Sequence, residues 1–157
     1  MARRYGRSAR GRRCLAAVPH GHWQTSTFIA ALRHDRLAAP FLIEGSANMD
    51  VFAAYVGQVL CPELQAGDVV ILDNLCIHKT PAVARLIAAK GASVRYLPAY
   101  SPDLNPIEMA FAKLKSHLRQ AAARTLAELQ LAVAASLAQF APAHCHGFFR
   151  HARYGTI

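Results

Sequence analysis

Nine acidic residues are spread over 157, few enough for each to be weighed, and two stand where they could do chemistry. Asp73 directly follows Asp68 to Leu72 (DVVIL), a β-branched apolar run of the sort buried on both faces of a parallel sheet. α/β sheets place their ligands at the carboxyl ends of such strands. A carboxylate buried there is costly unless a cation or hydrogen-bond donors compensate it. The alternative is structural, with Asp73 capping the turn through Asn74. Glu108 lies three residues after Asn105, which fits an Asn-x-x-Glu capping box in a first helical turn. Taken together the two say more. A strand-end Asp and a helix-start Glu separated by one βα unit can converge on a single divalent cation, and such hard oxygen ligands suit Mg2+ or Mn2+.

Helical spacing puts Lys115 and Arg119 on the same face as Glu108, with Lys113 further round. Cations beside a metal site could hold a phosphate backbone, so Lys113, Lys115 and Arg119 are candidate DNA contacts. A solvated basic face is the bland alternative. His78, five residues beyond Asp73, could position a phosphate or a water, or be only a loop residue. Other chemistries find less support. His144, Cys145 and His146 are adjacent and splay apart, and Cys76 with His78 supplies only two zinc ligands. Ser101 has no evident His and Asp partners for a serine hydrolase. Neither G-x-x-x-x-G-K nor a strand followed by G-x-G-x-x-G is present.

Composition narrows the partners. Lys and Arg outnumber Asp and Glu by 18 to 9, a formal charge of +9 that favours polyanions, nucleic acid first. The first acid is Asp35, whereas six arginines crowd residues 3–13. That start has a transit peptide's composition but lacks the continuous apolar stretch of a secretory signal. No apolar run approaches the roughly 20 residues of a membrane span, so no membrane partner is expected. Four widely spaced cysteines without a C-x-x-C pair indicate neither a disulfide framework nor a thiolate zinc site and fit a reducing cytoplasm.

The elements that must position these residues are legible as a succession. One domain over 1–157 is expected, burying roughly two thirds of the unfolded surface. β-Favouring stretches near Cys14 to Val18, Trp23 to Leu32 and Leu37 to Ile43 predict an antiparallel meander. Val51, Phe52, Tyr55, Val56, Val59 and Leu60 recur at helical spacing and predict a helix from Met49 that ends near Gln65 to Gly67. After the Asp68 to Leu72 strand, Thr80 and Pro81 open a helix that Gly91 closes. Ser93 to Leu97 is the next strand. Prolines 98, 102 and 106 forbid regular structure until Asn105 and Pro106 start a helix that buries Ile107, Phe111, Leu114 and Leu118. Thr125 and Glu128 form a capping box for a helix to about Phe140, and Pro142 to Ala152 forms a short terminal one. The order β-β-β-α-β-α-β-α-α, followed by the short terminal helix, is α/β with a mixed sheet flanked by helices.

At this point VVILDNLCIHK, followed by VRYLPAYSPDLNPIEMAFAKLK, resembles the catalytic core of DDE transposases, namely those of bacterial insertion sequences in the mariner superfamily. Thirty-four residues separate Asp73 from Glu108, the spacing of that group's second and third catalytic acids. The resemblance extends upstream through RRYGRSARGRR and VPHGHWQTSTF and downstream to the terminal helices. It implies an RNase H-like fold in which two Asp and one Glu hold two Mg2+ or Mn2+ ions for phosphodiester hydrolysis and strand transfer at transposon ends. Asp73 would be the second acid and Glu108 the third, both catalytic and metal-binding. The family's first Asp sits on an opening strand a few residues before the arginine-rich stretch, inside which Met1 falls. Asp35, Glu44 and Asp50 occupy later strand, turn and helix positions and do not replace it. The expectation is therefore an N-terminally truncated domain lacking its first strand, its first acid and the helix-turn-helix region. Its partners would be DNA, a second copy or a separately encoded N-terminal half. A non-catalytic DNA-binding relic is the competing expectation.

Overall fold

The computed structural model describes residues 6–15 and 25–155. Cys14 and Leu15 have no regular structure and are exposed, and the rest of the first expected strand falls in residues 16–24, outside the described residues. The hairpin is β1 (Ser26–Leu32) antiparallel to β2 (Leu37–Glu44). Its register slips where Ala39 and Pro40 together oppose Ala30. Pro40 has no N–H for the ladder and Ala39 takes a positive φ of 50°, the conditions of a bulge. The buried Tyr55 hydroxyl donates to the Ala39 carbonyl at 3.0 Å and holds the bulge, and burial pushes that phenol above its ordinary range.

The expected helix from Met49 changes pitch twice. α1 (Met49–Tyr55) is capped by Asn48, continues as a π turn over Val56–Leu60 and ends as a 3-10 turn at Cys61–Glu63. Pro62 explains the widening, because it cannot donate to the carbonyl of Gln58 and its ring would strike it. The Cys61 N–H reaches back five residues to Val56 instead. β3 (Val69–Leu72) follows, then α2 (Pro81–Ala88), opened by the Thr80 side chain accepting from the Val83 N–H. Gly91, at φ +71°, closes it, and β4 (Ser93–Tyr96) lies parallel to β3 with Leu72 opposite Tyr96. α3 (Pro106–Ala121), α4 (Leu126–Leu137) and α5 (Pro142–His151) complete the order, α4 with the expected Thr125–Glu128 capping box. No single helix among the described residues is long and apolar enough to cross a membrane.

The fold is α/β, but the described strands form two separate two-stranded sheets, β1–β2 and β3–β4, where one mixed sheet is expected. Strand alternation shows how they are joined. Ile29 and Ala31 of β1 pack with Val70 and Leu72 of β3 against a cluster centred on Phe52, Val56, Val83 and Ile87. Phe28 and Leu32, on the other face of β1, meet Leu114, Leu118 and Val133 of α3 and α4. Both sheets thus rest on the α1–α2 layer without sharing a hydrogen bond among the described residues. An Arg33–Asp68 ion pair (2.8 and 3.1 Å) ties the end of the hairpin to the start of β3. β3 is accordingly not buried on both faces as expected. Val69 is 55% exposed and Ile71 half-buried, because nothing described covers their side of the strand.

Candidate active site

β3 and β4 run parallel, so both chains leave at the same edge. The Leu97 N–H still bonds the Leu72 carbonyl (2.8 Å), one residue before Asp73. From that edge the chain enters the Leu97–Asn105 connection. The prolines keep it irregular apart from a 3-10 turn at Pro102–Leu104, and the Tyr154 hydroxyl clamps it by donating to the Leu104 carbonyl at 3.0 Å. Glu108 follows in the first turn of α3.

Asp73 is held from its own loop. One carboxylate oxygen accepts the Leu75 N–H (3.2 Å) and lies 2.5 Å from Nδ1 of His78. A 3-10 turn at Cys76–His78 brings the imidazole back toward the strand end. The ring rests on Phe52 with centroids 4.3 Å apart, and the Tyr96 hydroxyl donates to the His78 carbonyl (3.2 Å). The Asn74 turn is present, so the structural reading of Asp73 is partly realised. It uses only one of the two oxygens.

At Glu108 the capping-box alternative fails. Asn105 makes no side-chain cap bond; only its carbonyl accepts, from the Glu108 N–H at 3.2 Å. The Glu108 side chain is exposed and has no hydrogen-bond or ionic partner among the described residues. Two carboxylates with free oxygens are the right donor chemistry for a hard cation. They are few: no three His, Cys, Asp or Glu side chains gather at ligating range among the described residues, so Glu108 does not join the Asp73–His78 pair.

The three candidate DNA contacts separate. Lys115 and Arg119 are exposed and unpaired among the described residues, on the face of Glu108. Lys113 is committed elsewhere. Its ammonium donates to the Gln139 carbonyl (3.1 Å) and to Nδ1 of His144 (2.9 Å) and lies 4.9 Å from the centre of the Phe140 ring, joining α3 to the α4–α5 corner. No sequence signal announced the Tyr154–Leu104 clamp, whose partners are fifty residues apart. The Phe52 shelf under His78 had one, since Phe52 sits on the apolar stripe of α1, but its partner is a loop residue with no periodicity to read.

Comparison with known proteins gives this geometry its family. No curated protein matches the chain. Among solved structures, the fold is similar to that of the Mos1 strand transfer complex, with a TM-score of 0.75 at 14% identity, over 98% of this chain and 48% of that one. The chain therefore spans about half the length of that protein. The DDE superfamily endonuclease family matches residues 1–130, more than four fifths of the 157, and takes in Asp73, Glu108 and the loop between them. The chain belongs to the DDE superfamily endonucleases.

Proposed function

We propose that this chain is the catalytic domain, RNase H-like in fold, of a DNA transposase of the bacterial insertion-sequence branch of the mariner superfamily. The reaction is metal-dependent phosphodiester hydrolysis and strand transfer at transposon ends. The observation that carries this reading is the pair Asp73 and Glu108, both with free carboxylate oxygens, at the carboxyl edge of β3–β4 and in the first turn of α3 of a DDE superfamily chain. Mg2+ or Mn2+ held by Asp73, with Glu108 drawn to it from the start of α3, would supply the positive charge that such carboxylates cannot. Lys115 and Arg119, on the Glu108 face, suit the phosphates of DNA, and the similarity to a strand transfer complex agrees with DNA as partner.

Asp73 and Glu108 supply two of the three acids that the family resemblance implies, and this reading assigns the third to an upstream segment or a separately encoded half. Among the described residues β1 and β3 each pair on one side only and pack on the same helical layer, which suits an added strand that would carry the third acid. The chain alone is then expected to show little or no nicking of DNA. The test is to extend it with its native upstream coding sequence, in frame or frame-corrected, and assay Mg2+-dependent cleavage of a duplex carrying the element's ends. Cleavage that disappears with Asp73→Asn and with Glu108→Gln supports the reading. Cleavage indifferent to both, or efficient nicking by the 157 residues alone, refutes it.

That no three His, Cys, Asp or Glu side chains gather to hold a metal ion among the described residues favours one further reading, a non-catalytic DNA-binding domain of the same fold. It predicts DNA binding unchanged by Asp73→Ala and Glu108→Ala and no cleavage by any extended form.

A further inference from the structure

We propose that His78 is a positioning residue, whose ring locks one oxygen of the Asp73 carboxylate and leaves the other to face a hard cation. The proposal rests on the reading of Asp73 as a metal-binding acid. Oδ1 of Asp73 is doubly engaged, by the Leu75 N–H at 3.2 Å and by Nδ1 of His78 at 2.5 Å, while Oδ2 has no partner among the described residues. The histidine is the more buried of the two, at 15% side-chain exposure against 39% for Asp73. Its ring cannot easily turn away. Phe52, itself 4% exposed, lies beneath it at 4.3 Å; its main chain is held by the Leu75 carbonyl at 3.1 Å and by the Tyr96 hydroxyl at 3.2 Å. The imidazole thus rests on Phe52 of α1 while Tyr96 of β4 holds the His78 backbone, and together they orient the ring toward the Asp73 carboxylate.

The tautomer follows from the partners. An ionised carboxylate only accepts, so Nδ1 carries the proton. A free aspartate spends rotamer entropy when a cation captures it, and one already oriented by a fixed donor spends less. Outer partners of this kind typically change metal affinity by about 10- to 100-fold when removed. A histidine that merely filled space on Phe52 would change the stability of the domain and leave cation affinity alone.

Two measurements on the full chain decide the matter. In the unsubstituted protein, the ring nitrogens of His78 are observed by NMR, and the proton is expected on Nδ1, a preference lost when Asp73→Ala removes the acceptor. An Nδ1 without a proton, the proton lying on Nε2 alone, overturns the proposal. Mn2+ is then titrated into the millimolar range and the broadening of signals around residue 73 is followed. His78→Phe keeps the ring and its stacking but removes the donor, and is expected to raise the Mn2+ concentration for half-broadening about 10- to 100-fold with an unchanged unfolding midpoint. His78→Asn places an amide N–H close to the lost Nδ1–H and is expected to recover most of that loss. If Asp73→Asn abolishes the broadening and His78→Phe leaves it untouched, the positioning role is wrong and the metal reading stands. If Mn2+ broadening is absent, or indifferent to Asp73→Asn, the metal reading fails and takes this proposal with it.

Discussion

Three lysine and arginine positions on one helix have different work because of what surrounds them. Lys113 is already coordinated by a carbonyl, an imidazole and an aromatic face, so DNA could recruit it only by breaking those contacts. Lys115 and Arg119 have nothing to give up. Each is therefore expected to release about one counterion on binding duplex DNA. Lys115→Ala and Arg119→Ala should each flatten the slope of log K against log salt by roughly 0.9, uniformly across sequences. Lys113→Ala should leave the slope unchanged and lower the melting temperature instead; fluorescence anisotropy over a salt series, beside a thermal melt, separates the cases. Asp68 invites a second expectation. The Arg33 hydrogen bond, then the Gln65 N–H, hold its carboxyl below the ordinary value of 3.8. A depressed folded pKa contributes stability above the unfolded value, and that stability is lost as pH falls through the folded one. Asp68→Asn should thus cost no more than about 1 kcal/mol at neutral pH for a solvent-screened pair. Urea midpoints of the variant and the parent should converge once the pH falls below the usual carboxylate range; a gap that persists there would show the ion pair was not its source. The places of the two acids, Asp73 just after β3 and Glu108 in the first turn of α3, were legible in the sequence because an apolar strand and an Asn-Pro helix start are local signals. The imidazole that holds Asp73 was not, because its contact depends on a turn and on an aromatic from a different element.

Among the elements, capping and chain breaking were read with most success because they are local. Thr80–Pro81, Gly91 and the Thr125–Glu128 box stand where their residue types demand. Thr125→Ala should cost about 1 kcal/mol of stability, the usual value for a lost N-cap, visible as a shift in urea midpoint. The Asn105–Glu108 pattern misled for the opposite reason: the same letters permit a capping box, and only the exposed, unpartnered Glu108 shows that it does not form. Pro62 likewise re-pitches a helix whose periodicity alone promised a regular one. What carries the layer under the site is α2, whose Ile87 and Val83 are wholly buried beside α1. Ile87→Ala should therefore destabilise the domain by about 2–5 kcal/mol, and by chemical denaturation a loss under 1 kcal/mol would mean that the α1–α2 layer is less tightly packed than its burial indicates.

For the whole molecule, the decisive feature is that the described strands form two small sheets on one helical floor instead of one continuous sheet. The sequence pattern of β3 asks for burial on both faces, and the fold supplies it on one: Val70 and Leu72 go into the core while Val69 stays 55% exposed. Local pattern records what a strand is suited for; whether a neighbour arrives is a property of the assembly. An open edge with apolar alternation pairs readily with another chain, and among the described residues β1 and β3 each leave one edge unpaired, the two sheets being joined chiefly through α1, α2 and the Arg33–Asp68 pair. The isolated chain should consequently associate. In sedimentation velocity its average mass should rise with concentration across the micromolar range. The native upstream extension should reverse this by giving a single species with a sharper, hotter unfolding transition, since a strand seated between β1 and β3 would pair both edges at once. A strictly monomeric chain that melts cooperatively at high temperature without the extension would mean that the two edges are satisfied from within the 157 residues, and the third acid would then have to reach the site by some route other than an inserted strand.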